Sequence, residues 1–372
     1  MSSEQSDIGV DFMPIADSGS PTAQRVPIAL VLIAAIFASL GFLYSFLITL
    51  SILGLALSLF NIRFRTKELL ILLLPLVLGI LYFAISRSGY NTFISFKYYF
   101  GFWIAYLFFI LYRKDLSGRH LLFVFLVLTA IEVLALNQPW FAISWRQGVL
   151  EGDNPHFATQ YFGFYQRPFG VAFNPTMSSV LGVVLAERSF AAPGTTARGR
   201  VAYLILGLLI PIVYMAATGL VVYIAALLAT RRSAYAWISL PVLLVLLFVA
   251  MQGFLEEAYS KLTIDALRIL IEYKVEDFGR YLLPTSDCQR WFGEVACAGT
   301  YPLAYDDIGW LPFIFDMGIV AVTLYFLIAI AHLNRFNALP LFLVFLGSWH
   351  YPVAFSAVGQ FVVAGLLLNK ID

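Results

Sequence analysis

Apolar residues in this chain fall in long runs separated by short charged clusters. That pattern is neither the alternation of a half-buried strand nor the narrow stripe of a surface helix. Clear runs cover 69–86, 93–112, 121–138, 235–252 and 308–331, with a shorter one at 171–186. A membrane-crossing helix needs roughly 20 apolar residues, so each run predicts one span. Three further runs, 26–60, 201–229 and 338–368, are too long for one crossing and tight for two.

Charge resolves these three. The clusters Arg63/Arg65/Lys67, Arg113/Lys114/Arg119, Arg188/Arg198/Arg200 and Arg231/Arg232 should all face the cytoplasm, where basic residues accumulate. Arg200 and Arg231 flank 201–229, so an even number of crossings lies between them. The same parity divides 26–60 between Arg25 and Arg63, and 338–368 between Arg335 and Lys370. Gly41, Thr218-Gly219 and Tyr351-Pro352 are the expected breaks. The fold expected is an all-α polytopic membrane protein of about twelve transmembrane segments, within a range of roughly 9–12. Both termini are then cytoplasmic, in a bacterial inner membrane.

Residues 1–25 are polar, carry Glu4, Asp7, Asp11 and Asp17, and read as a disordered cytoplasmic tail. The apolar run behind them is too long for a signal-peptide core, so no cleavable export signal is expected. Residues 26–372 form a single transmembrane domain with two long external loops, 139–170 and 253–307. Reporter fusions at residues 150 and 285 are expected to read external; a cytoplasmic signal at either overturns this orientation.

Composition agrees with the pattern: 61% of residues are hydrophobic, 12% are charged, and the mean hydropathy is +0.85. A soluble domain carries about 25% charge, so a water-soluble globule is excluded. With 23 basic against 22 acidic residues, no bulk field attracts a nucleic acid. Internal repeats and a second soluble domain are not evident.

Chemistry must come from the few polar residues near the external rim. The first loop is aromatic-rich and holds Arg146, His156 and Arg167. Arg167-Pro168-Phe169-Gly170 and then Asn174-Pro175 place an arginine just before a helix start, which Asn174 or Thr176 caps. An interfacial aromatic belt with snorkelling arginines is one reading. The other is a phosphate clamp, since the planar guanidinium fork matches phosphate oxygens.

In the second loop Leu255, Tyr259, Leu262, Ala266, Ile269 and Tyr273 recur at helical spacing. They predict an interfacial amphipathic helix with Arg268 on its more polar side. Arg280 follows, then Cys288 and Cys297. Their placement on the oxidising side predicts a disulfide. Asp306 and Asp307 open the next span, with Asp316 deeper inside it. Carboxylates at a helix N-terminus gain about 0.3–1 kcal/mol from the dipole, which accounts for one aspartate better than for three. Glu132 lies at a depth comparable to Asp316, and His350 stands beside Trp349 and Tyr351 near an outer turn. Ionisable residues within spans are functional candidates by default. No phosphate-cradling loop, metal-ligand spacing or nucleophile elbow is present, so neither a metal nor another cofactor is expected.

These features resemble the Wzy-type O-antigen polymerase and ligase superfamily of membrane glycosyltransferases. The likeness covers the hydropathy plan of nearly the whole chain. At motif level it rests on Arg167, Gly170 and Asn174-Pro175, then Arg268 or Arg280, Phe292-Gly293, Asp306-Asp307-Ile308-Gly309 and Asp316-Met317-Gly318. Glu294 and Val295 stand where the family's second turn glycine is usual. Ligases carry histidine where Asp306 and Asp307 stand, so the chain is more similar to the polymerase branch.

The resemblance implies a metal-independent transfer of an undecaprenyl-diphosphate-linked glycan onto a lipid-linked repeat unit outside the membrane. It further implies a lipid-linked oligosaccharide, membrane lipid, a flippase and a chain-length regulator as partners. Under it Arg167 and Arg280, supported by Arg146 and Arg268, clamp the diphosphate. Asp306 or Asp307 is the base, with His350 or Glu132 in support. An O-antigen ligase and a carrier of polysaccharide or lipid-linked oligosaccharide remain the alternatives.

Overall fold

The computed structural model describes residues 66–112, 116–137, 160–161, 165–172, 174–190, 196–229, 272, 286–302 and 309–371. The tail 1–25, the runs 26–60 and 235–252, and the amphipathic segment 255–273 apart from Glu272 lie outside the described residues. Numbered in chain order, the described helices are α1 (Thr66–Ile85), α2 (Gly89–Phe100), α3 (Phe102–Tyr112), α4 (Gly118–Asn137), α5 (Pro175–Phe190), α6 (Ala197–Val213), α7 (Ala217–Ala229), α8 (Asp287–Ala298), α9 (Leu311–His332), α10 (Ala338–Gly347) and α11 (Ala357–Leu367). A two-stranded hairpin pairs Gln160 with Gln166 and Tyr161 with Tyr165.

The protein is a mostly helical membrane protein. Helices α4 and α9 are long and apolar enough to cross a bilayer, and α2 with α3 forms a third, bent pair. Shorter apolar helices occupy Leu73–Ile85, Ala217–Ala229, Ala338–Gly347 and Ala357–Leu367. Two parity arguments have structural counterparts: 201–229 divides into α6 and α7, and 338–368 into α10 and α11. The first break falls at Tyr214–Ala216 rather than Thr218-Gly219. Pro211 inside α6 cannot donate to the helix ladder, and the turn closes through Ala216 N–H to the Pro211 carbonyl.

Two runs that read as single spans are interrupted. The 93–112 run bends by 57° between α2 and α3. In α9, Gly318 leaves helical geometry, with φ 67° and ψ 179°. Hydropathy does not register either break, because both lie inside continuous apolar sequence.

Helix α5 is the hub, packing against α4, α6, α7 and α10. Its Val180, Leu181, Val183, Val184 and Ala186 are fully buried, as are Ser178 and Ser179, so protein surrounds this helix on every side. Small residues let its neighbours close in. A side chain at Gly182 would collide with Phe125 and Ile210, and one at Gly347 with Val180. Packing of this kind replaces the hydrophobic drive where the solvent is lipid.

One end of the bundle is tied by arginines. Arg188 donates to the Ile371 and Phe336 carbonyls, and Arg119 to the Ser189 carbonyl. Leu116 N–H bonds the Lys370 carbonyl, which seats the fully buried Ile371. The opposite end holds the α4 C-terminus, the α5 N-terminus and the turn between α10 and α11. Of the polar candidates, Glu132, Arg167 and His350 are described there.

Candidate functional site

The segment 165–172 crosses that end between α4 and α5, and polar side chains of both helices pin its backbone. Asn137, the last residue of α4, accepts from Gln166 N–H at 2.7 Å and donates to the Gln166 carbonyl at 2.8 Å. Glu132 sits one and a half turns deeper and is only 8% exposed. Its two carboxylate oxygens accept the N–H of Phe169 at 3.2 Å and of Gly170 at 2.7 Å. From α5, Ser178 donates to the Phe169 carbonyl at 2.7 Å and accepts Ala172 N–H at 3.0 Å.

Gly170 is required here. Its φ is +69°, and an added Cβ would lie 2.5 Å from Ser178 and from the Tyr214 hydroxyl. Beneath it, Tyr214 and Thr129 share a hydrogen bond of 2.6 Å. Asn174 supplies the helix cap, accepting Thr176 and Met177 N–H, so Thr176 is not the cap. Tyr165 donates to the Val213 carbonyl at 2.6 Å. Burial first, and then the Glu132 charge, push the Tyr165 pKa up to about 12. At neutral pH this phenol is a donor.

Arg167 is held in the middle of this pinned segment, half-buried, with its Nε enclosed. An apolar groove of about 660 Å³ opens between α4 and α6, lined by Leu126, Val133, Leu209, Ile212 and, from the same segment as Arg167, Tyr165.

A second constellation surrounds Asp316, which is fully buried. Its carboxylate accepts from the Tyr99 hydroxyl at 2.7 Å. The Tyr82 hydroxyl donates to the Met317 carbonyl, and Ser95 bonds the Met317 sulfur at 3.0 Å. The break in α9 at Gly318 is occupied by α8, itself broken at Gly293, where φ is 80° and ψ is 167°. Built Cβ positions on either glycine fall within 2.6 Å of the other segment's backbone. Cys288 and Cys297 form a disulfide that closes the bent α8, their Cα atoms 5.9 Å apart. Asn91 donates to the Gly299 carbonyl at 2.7 Å, fastening α8 to α2.

His350 is exposed in the turn between α10 and α11, its ring 4.4 Å from that of Tyr351. Gly309 abuts the backbone of the same turn, at Ser348, Tyr351 and Pro352. The chain therefore enters α9 against the His350 turn. Asp306, Asp307, Arg146, Arg268 and Arg280 lie outside the described residues. Among the described residues no group of three or more His, Cys, Asp or Glu is placed to hold a metal ion.

The structure thus brings Glu132 to the Arg167 turn and places His350 in a different turn at the same end. The supporting cast of Asn137, Ser178 and Tyr99 has no sequence signature, because each acts on a backbone or carboxyl group between 6 and 217 residues away. The Phe292-Gly293 and Asp316-Met317-Gly318 segments were visible as motifs. Their mutual contact was not. Comparison with known proteins finds no match to a family model, a curated protein or a solved structure.

Proposed function

We propose that the chain is a polysaccharide polymerase of an inner bacterial membrane. It transfers an undecaprenyl-diphosphate-linked glycan onto a lipid-linked repeat unit on the external face. The observation that carries this reading is an arginine held on a segment that backbone bonds fix, with Tyr165 of the same segment lining an apolar groove. A lipid diphosphate needs both, a planar cation for its head and an apolar wall for its tail. The fork of Arg167 matches phosphate oxygens and stabilises the charge that develops as the leaving group departs.

The donor is already activated, so no nucleotide enters. The anomeric carbon–oxygen bond to the diphosphate breaks, a glycosidic bond to the acceptor hydroxyl forms, and the hydroxyl proton passes to a carboxylate. Asp306 or Asp307 takes that part in the proposal, with His350 near the entrance to the same helix. Arg280, Arg268 and Arg146 complete the clamp. The external position of this end follows from the basic residues at the other.

A carrier of lipid-linked oligosaccharide has one observation in its favour. Discontinuous helices hold substrates in many transporters, and α9 is discontinuous beside Asp316. At that break the α8 backbone lies directly against Gly318, which counts against the carrier.

Purified protein in lipid nanodiscs, supplied with undecaprenyl-diphosphate-linked repeat units and no nucleotide, is expected to yield a ladder of longer glycans and free undecaprenyl diphosphate. Unchanged single repeats would remove the polymerase reading. Transport of the same lipid across vesicles without any ladder would put the carrier in its place.

A further inference from the structure

We infer that Glu132 is a positioning residue, a carboxylate latch that sets where Arg167 stands. The inference rests on reading Arg167 as the diphosphate clamp, and it reassigns Glu132 from the proton-handling support its depth in a span had suggested.

The geometry argues for the latch. A carboxylate at 8% exposure is costly unless hydrogen bonds replace its water. Both oxygens of Glu132 are directed at the consecutive N–H groups of Phe169 and Gly170. Those amides sit two and three residues after Arg167. The intervening Pro168 fixes its own φ near −65°, so little freedom remains between the latched amides and the arginine.

Two successive N–H groups converge on one carboxylate, and the chain then turns through the left-handed Gly170, whose φ is +69°. Ser178 holds the opposite side of the same turn through the Phe169 carbonyl and Ala172 N–H. Peptide groups on both sides of the turn are therefore committed to side chains of two different helices. Asn137 fixes the chain before Arg167 in the same manner. The guanidinium is thereby presented from a segment anchored on both flanks, which is how a clamp keeps its fork in one orientation without a helix or strand of its own.

A base and a latch answer differently to an amide. Glu132→Gln keeps one carbonyl oxygen that can accept an amide N–H, so the turn retains one of its two bonds. Glu132→Ala retains neither. Hydrogen–deuterium exchange in nanodiscs reads the turn without reference to any reaction. Exchange across 165–172 is expected to rise at least about tenfold in Glu132→Ala and less in Glu132→Gln, with α5 unchanged.

In the polymerisation assay, Glu132→Ala is expected to lower kcat, as misplacing a transition-state donor does, and Glu132→Gln to recover most of that loss. Unaltered exchange in Glu132→Ala overturns the latch. So does a Glu132→Gln variant with wild-type exchange and no activity, which would make Glu132 a proton carrier. If Glu132→Ala does not fold, Glu132→Gln carries the test alone. A turn that loosens as expected in a protein whose wild type never polymerises keeps the latch and removes the polymerase.

Discussion

Gly293→Ala and Gly318→Ala are each expected to strip most of the folded protein from the membrane. At Gly293 a Cβ would stand 2.1 Å from the Asp316 carbonyl oxygen and 2.4 Å from its carbon. At Gly318 it would stand 2.5 Å from Gly293 N and 2.6 Å from the Trp291 carbonyl carbon. These neighbours are backbone atoms of helices packed on both sides, so no side chain can swing away to make room. Both glycines also occupy the region of positive φ with ψ near 180°. That region is essentially closed to other residues, at about 1–3 kcal/mol each.

Relieving the clash means parting α8 from α9. Parting them displaces the Asp316 carboxylate from Tyr99 and the Met317 carbonyl from Tyr82, leaving buried polar groups unsatisfied at about 1–3 kcal/mol apiece. The sum is about 3–9 kcal/mol for either variant, a large part of the roughly 5–15 kcal/mol that holds a typical domain. Membrane yield and thermal midpoint in detergent check this. Gly79→Ala is the control, because its nearest neighbour is the Phe96 ring at 3.4 Å; it should stay close to wild type. Wild-type midpoints for Gly293→Ala and Gly318→Ala would show that the crossing is not a structural keystone.

How much of this was legible depends on which forces leave a trace in residue order. Burial in lipid leaves runs of apolar residues, so α1, α4 and α5 could be placed to within a few positions, and charge parity divided 201–229 and 338–368. The Asn174-Pro175 start of α5 was readable because capping is a local interaction between neighbours in sequence. The bend between α2 and α3 and the break at Gly318 were hidden, since both interrupt runs that remain apolar throughout. They are tolerated because a second segment supplies the missing contacts.

Glu132 shows the same limit at the candidate site. Its depth marked it as costly and therefore worth attention. The partners that resolve the cost are two backbone amides 37 and 38 residues away, and backbone amides carry no residue identity to recognise. A carboxylate whose partners are invisible in sequence reads as a catalyst, whereas the same carboxylate with its amides in view reads as structure serving a neighbour.

Arg167→Lys is expected to collapse polymer length while the protein remains in the membrane at wild-type amounts. The substitution preserves one positive charge, so a clamp acting through charge alone would survive it. A clamp acting through geometry would not. Guanidinium offers parallel N–H donors in a fixed plane that two phosphate oxygens can meet together, whereas an ammonium is a compact point charge on a freely rotating stem. Asn137, Glu132 and Ser178 anchor the segment holding Arg167 through bonds to its backbone, and these bonds do not use the side chain of residue 167. The lysine variant should therefore fold with the turn intact and fail in transfer. Losing one transition-state donor costs on the order of 10²–10³ in rate, enough to replace long chains by single repeats in a cell-surface glycan profile. Long chains at wild-type length from Arg167→Lys, with the protein present, would leave the clamp without its central residue.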